Sequence, residues 1–170
     1  MRKPDETMMP LRITDELIYQ YDNLFHVLSV TIRGLSRKQW TAGDSPFQTP
    51  ARLACHIVWA CEGYATGDWD GCARRFGCPA QALDEEIPAE QLPTIEQVLG
   101  YIEQVRAQVK TWLSAMDDEH LLDRTPNWGW RERGMTLLGH VTYVLRHGTL
   151  HLGHLQMELH ARGIESGVFR

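Results

Sequence analysis

Four long segments of the sequence repeat apolar residues at spacings of three and four, which is the period of an amphipathic α-helix. In the first segment this stripe consists of Leu17, Tyr21, Leu24, Leu28 and Ile32. No stretch shows the sustained alternation of apolar and polar residues that is typical of a β-strand. We therefore expect an all-α protein whose main helices cover residues 13–35, 50–68, 95–116 and 136–162.

Residues at the ends of these segments support the predicted boundaries. Thr49 can cap a helix, and Pro50 follows at the position where a helix tolerates proline best. Thr94 and Gln97 have the spacing of a capping box. Gly163 follows the fourth segment, where a left-handed residue commonly ends a helix.

The lengths of the connections constrain how the helices run. Antiparallel neighbours in a bundle need only a few linking residues, whereas parallel neighbours need a crossover. The connection between the second and third helices, residues 69–93, is long, so we expect these helices to run in the same direction. The connection between the third and fourth, residues 117–135, is also long, and its Trp128 and Trp130 could form a lid over the bundle. The whole chain, residues 1–170, has the size of a single domain.

Composition narrows the class of protein. Hydrophobic residues make up 43% and charged residues 23%, as in ordinary globular proteins. The formal net charge is −5, so we expect no nucleic-acid partner, because binding through phosphates usually requires a basic surface. We find neither an apolar run that could span a membrane nor a signal peptide, and we expect a cytoplasmic protein. The four cysteines are then expected to be reduced thiols, two of them buried on the second helix: Cys55, Cys61, Cys72 and Cys78.

Four of the eight histidines lie on one face of the fourth helix. At about 100° per residue, His140 and His154 lie about 20° to either side of His147, and His151 lies about 40° from it. Val144 flanks this face, so we expect the face to point into the bundle. Several imidazoles in a core are costly unless each finds a partner, and a divalent metal ion could be that partner.

Histidines at i and i+4, such as His147 and His151, project from successive turns and can reach one ion. Another helix must then complete the site, and His56 is the one histidine of the second helix. Neutral imidazoles suit Zn, Ni, Fe or Mn, and three protein ligands leave positions open, as in reactive metal sites. Spacing does not choose among the four histidines, and a lone His56 would more often be a hydrogen-bonded core residue. His140 and His154 could be alternative ligands, residues that orient the ligands, or substrate contacts.

Other catalytic patterns are missing from the sequence. Gly148 stands where a zinc protease of the H-E-x-x-H type has its glutamate. The glycine motifs of serine hydrolases, P-loop proteins and dinucleotide-binding proteins are absent as well. Cys55 lies about 100° from His56 around the helix, which disfavours a cysteine nucleophile paired with that histidine.

Three stretches, at residues 35–40, 49–64 and 147–155, resemble the DinB-like superfamily of metal-binding four-helix bundles. The likeness extends from about residue 13 to residue 164. Residues 35–40, LSRKQW, are similar to the segment that closes the first helix of that family. Residues 49–64, TPARLACHIVWACEGY, are similar to its second helix. Residues 147–155, HGTLHLGHL, match its pattern H-x-x-x-H-x-G-Q-L except at His154, where glutamine is common.

The resemblance implies an up-down-down-up four-helix bundle and a divalent metal ion bound by His56, His147 and His151. It also implies a homodimer with a small-molecule substrate. We expect no membrane partner, because no apolar run is long enough to span a bilayer. Members of known activity include thiol S-transferases, which use low-molecular-weight thiols such as bacillithiol or mycothiol, and a thiol-dependent isomerase. The family name refers to induction by DNA damage, which suggests a stress response.

Three functions remain open from the sequence. The first is a metal-dependent thiol S-transferase acting on a small electrophile, with Trp59, Gly63 and Tyr64 as candidate pocket residues and no catalytic residue assigned. The second is a metal-dependent hydrolase, for which Glu62 and Glu158 are the only nearby carboxylates on the two helices. The third is a non-enzymatic, stress-linked bundle that binds a metal or another ligand.

Overall fold

The computed structural model describes residues 12–43, 48–76, 87–124 and 135–166. Within these ranges the protein is all-α, and its one β-type pairing is an isolated bridge between Arg124 and Thr136. Two 3₁₀ turns, Ala89–Gln91 and His120–Leu122, also occur there. The α-helices in chain order are α1 (Ile13–Arg33), α2 (Arg37–Thr41), α3 (Pro50–Thr66), α4 (Trp69–Phe76), α5 (Ile95–Ser114) and α6 (Leu137–Ala161).

The four long predicted helices are confirmed as α1, α3, α5 and α6, each ending one or two residues earlier than predicted. The Thr49 side chain accepts a hydrogen bond from the backbone of Arg52, and Pro50 occupies the first turn of α3. Thr94 and Gln97 form the expected capping box. Gly163 has a φ of 68°, so the left-handed end of the last helix is also confirmed.

Two short helices, α2 and α4, were not predicted. Ser36 caps α2 in a capping box with Gln39. Helix α2 has five residues and is too short to show a period. Helix α4 lies at the start of the long connection, residues 69–93, and contacts α3.

The long helices pack around one apolar core. Helix α3 packs against α5 and α6, and α1 packs against the same two helices. The core side chains are almost fully buried, and each large aliphatic one contributes about 1.5–3 kcal/mol relative to exposure. They include Leu28, Ile57, Ile102 and Leu152, each 0% exposed.

Specific contacts give the relative directions of some helices. The Tyr21 hydroxyl donates a hydrogen bond of 2.9 Å to the carbonyl of Val141, and Leu24 packs against Gly148. Because the later residue of α1 contacts the later residue of α6, these two helices are parallel. Helices α3 and α6, in contrast, are antiparallel. His56 contacts His147 and His151, whereas Tyr64 contacts His140.

The C-terminal end of α6 is tied to the segment around α2. The Arg162 guanidinium donates to the carbonyl oxygens of Ala42, at 2.6 Å, and Gln39, at 3.4 Å. Glu158 lies one turn earlier, with its carboxylate 3.7 Å from the same guanidinium. No helix in the described ranges combines the length and apolarity needed to cross a membrane. The proposed lid residues Trp128 and Trp130, and Cys78, lie outside the described residues.

Candidate metal centre

Three histidines from two helices meet inside the bundle. His56 comes from α3, and His147 and His151 come from successive turns of α6. The Nε2 atoms of His56 and His147 are 2.9 Å apart. The ring of His151 lies 4.6 Å from that of His56 and 4.5 Å from that of His147, measured between centroids. One ring nitrogen from each histidine lies within 4.8 Å of the other two.

Burial keeps these imidazoles neutral. His56 and His151 are 8% and 9% exposed, and His147 is half-buried. The pKa of His56 is lowered to about 3, mainly by burial and to a smaller extent by charge repulsion from His151 and His147. The pKa of His151 is lowered to about 4, again mainly by burial, with a smaller effect of charge repulsion from His147 and His154. The pKa of His147 is also lowered by burial. At neutral pH each ring therefore has a nitrogen lone pair available.

The donor set fits a divalent metal ion. The Nδ1 atom of His151 is buried and makes no hydrogen bond within the described part of the protein. A buried polar atom without a partner costs about 1–3 kcal/mol, which a ligand or a metal ion can relieve. Three neutral imidazoles suit Zn, Ni, Fe or Mn. In the described ranges this is the one group of three His, Cys, Asp or Glu side chains close enough to share an ion.

The other two histidines of the α6 face lie apart from this group. A ring nitrogen of His140 is 3.4 Å from the backbone carbonyl of Tyr64, and its ring packs against Tyr64 and Trp112. Burial lowers the pKa of His140. His154 is exposed, with its ring centroid 5.7 Å from that of His151. The structure therefore distinguishes His147 and His151, which face His56, from His140 and His154, whereas helical spacing alone could not.

The predicted pocket residues lie beside the group. The ring of Trp59 is 5.9 Å from that of His56, and Tyr64 lies further along α3 in contact with Trp69. Gly63 is buried, and a Cβ atom there would overlap the indole of Trp69. Gly63 thus provides the space that Trp69 occupies rather than a contact of its own.

Two aromatic residues near the site were missed in the sequence. The Tyr143 ring stacks on the His147 ring at an interplanar angle of 25° and a centroid distance of 5.9 Å. Its signal was present, because Tyr143 precedes His147 by one helical turn. Trp69 opens the unpredicted helix α4, and no pattern in the sequence placed it over α3.

Three of the four cysteines lie in the described part of the chain. Cys55, Cys61 and Cys72 are buried and form no disulfide, as expected for the two on the second helix. Burial raises the pKa of Cys61 to about 12, so this thiol stays protonated at neutral pH.

Comparison with known proteins identifies the family to which the chain belongs. A family model described as the DinB superfamily matches residues 20–155, a span that covers most of the chain and includes all three histidines. A search of curated proteins found no match.

Proposed function

Because the chain belongs to the DinB superfamily, we propose that His56, His147 and His151 bind one divalent metal ion and that the protein is a metal-dependent enzyme. The convergence of the three ring nitrogens within 4.8 Å carries this proposal. Their burial in a neutral state supports it, since only the neutral imidazole can bind a metal.

The reaction we propose is the transfer of a low-molecular-weight thiol, of the bacillithiol or mycothiol type, to a small electrophile. A divalent ion at the three histidines would favour the thiolate form of a bound thiol. His147 is the most exposed of the three, and the Tyr143 ring stacks beside it. We propose that the electrophile binds beside His147, against aromatic residues such as Tyr143 and Trp59.

Carboxylates give less support to the hydrolase alternative. Glu158 is 7% exposed and faces Arg162, two turns beyond His151 along α6. Glu62 is fully buried on α3. A general base for water would need to reach the metal-bound position and exchange protons with solvent, and the burial of both carboxylates disfavours that role.

We also propose the up-down-down-up order for the four long helices. The parallel pairing of α1 with α6 and the antiparallel pairing of α3 with α6 support it. A homodimer is proposed as well, because Leu150 and Met157 are 55% and 67% exposed on one face of α6. Sedimentation of Met157→Glu should then give a monomer, whereas an unchanged mass would contradict this interface.

The enzyme proposal is tested by following free thiol in the presence of activated electrophiles, with esters and amides as a parallel screen. Protein loaded with Zn, Ni, Fe or Mn should consume thiol only when an electrophile is present. His151→Ala should lose the activity, whereas His160→Ala, an exposed histidine on the same helix, should keep it. Ester or amide cleavage without thiol would favour the hydrolase, and no turnover in any arm would favour a non-enzymatic binder.

A further inference from the structure

Four half-buried aromatic side chains form a continuous surface beside the three histidines. They come from α3, α4 and α6, and we refer to them as the aromatic wall: Trp59, Tyr64, Trp69 and Tyr143. The Trp69 ring lies 4.8 Å from Trp59 and 4.8 Å from Tyr64, measured between centroids. Tyr64 lies 5.8 Å from Tyr143. Neighbouring rings are steeply inclined, at 57°, 84° and 77°.

The aromatic wall meets the histidines at both of its ends. Trp59 lies 5.9 Å from His56, and Tyr143 lies 5.9 Å from His147. A group bound on the aromatic wall would therefore lie close to the imidazoles. Each wall residue is partly exposed, so ring surface remains for a further contact.

Trp69 is the member that the fold places most specifically. It begins the short helix α4, and its indole occupies the space left by Gly63, where any Cβ would overlap the ring. Asp68 holds the start of this helix by accepting a hydrogen bond of 2.9 Å from the backbone of Gly71. Trp69 thus bridges Trp59 and Tyr64.

We propose that the aromatic wall binds a planar, uncharged aromatic group of the electrophilic substrate and that Trp69 sets this selectivity. The substrate role rests on the proposed function. Aromatic rings prefer offset-stacked or edge-to-face partners at centroid distances of about 4.5–7 Å, and the wall offers both orientations. A cation would also be attracted to ring faces. A divalent ion on the adjacent histidines would repel it, so the uncharged ring is favoured.

The test is calorimetric binding of three probes, with and without Zn²⁺. The probes are 2-naphthol, its saturated analogue decahydro-2-naphthol, and choline. The variants are Trp69→Leu, which keeps apolar bulk but removes the ring, and Tyr19→Leu, a control on α1 that is 63% exposed. We expect 2-naphthol to bind more tightly than its saturated analogue. Trp69→Leu should weaken 2-naphthol by about 3- to 10-fold and remove this preference, with no change in Tyr19→Leu.

Equal binding of 2-naphthol and its saturated analogue would overturn the proposal, as would tighter binding of choline. Unchanged 2-naphthol binding in Trp69→Leu would also overturn it. If Trp69→Leu does not fold, Gly63→Ala replaces it, because this change displaces the indole without removing it. Because the probes carry no thiol chemistry, a failure of Zn²⁺ binding counts against the proposed function alone. A failure of 2-naphthol binding in Zn²⁺-loaded protein counts against the aromatic wall alone.

Discussion

Gly148 lies between two proposed metal ligands and allows α6 to approach α1 closely. A Cβ atom at this position would lie 2.8 Å from a δ-methyl group of Leu24 and 3.7 Å from a γ-methyl group of Ile57. Gly153, on the same helix, would have nothing within 4 Å of an added Cβ. Gly148→Ala and Gly153→Ala are therefore the same substitution on one helix, with and without a close neighbour.

The two variants should differ in the sign or size of their effect on the free energy of unfolding. Replacing glycine by alanine within a helix stabilises it by about 0.5–1 kcal/mol, and Gly153→Ala should show this gain. At Gly148 the same gain is opposed by overpacking, which costs about 1–3 kcal/mol. Leu24 is 1% exposed, so its methyl group has little room to move. Gly148→Ala should thus be about 1–3 kcal/mol less stable than Gly153→Ala.

Urea unfolding followed by far-ultraviolet circular dichroism measures this difference. Both variants should keep the slope of the wild-type transition and shift only its midpoint. If Gly148→Ala gained as much stability as Gly153→Ala, the close approach of α6 to α1 at Leu24 would be refuted.

Three further predictions concern the packing of the helices and the charge of the buried histidines. Gly63→Ala should displace Trp69 and shift tryptophan emission to longer wavelength, and an unchanged spectrum would contradict the overlap. Tyr21→Phe should lose about 1 kcal/mol of stability with the hydrogen bond to the Val141 carbonyl, measured by urea unfolding, and no loss would contradict that bond. In metal-free protein, His56 and His151 take up protons near pH 6.5 only when the chain unfolds, since their folded pKa values are about 3 and 4. Stability should therefore fall as pH drops from 6.5 toward 4, by about 1.4 kcal/mol per pH unit for each histidine, and replacing both with asparagine should remove this part of the slope.

The long helices could be predicted because each buries one continuous face. Their periodicity spans several turns, and caps such as Thr49 and Thr94 act through residues next to them in sequence. The short helices could not be predicted in the same way. Five residues in α2 show no period, and α4 depends on the docking of Trp69 against Gly63, a contact between separate elements.

The candidate site, too, could be predicted only as far as residues on one helix determine it. The i and i+4 spacing identified His147 and His151 as one possible pair, but His140 and His154 shared their face. Only the packing of α3 against α6 shows which turns of α6 face His56, because that depends on the relative shift of two helices. The resemblance to the family supplied this choice before the geometry did.

Measuring the metal content of the protein is the most direct test of a metal ion bound by His56, His147 and His151. Wild-type protein, His160→Ala and a variant with alanine at His56, His147 and His151 would be purified without chelators and analysed by inductively coupled plasma mass spectrometry. We expect about one divalent ion per chain in wild type and in His160→Ala, and none in the triple variant. Wild-type protein without stoichiometric metal, whose melting temperature does not rise when Zn²⁺, Ni²⁺, Fe²⁺ or Mn²⁺ is added, would contradict it. An equal metal content in the triple variant would contradict it as well.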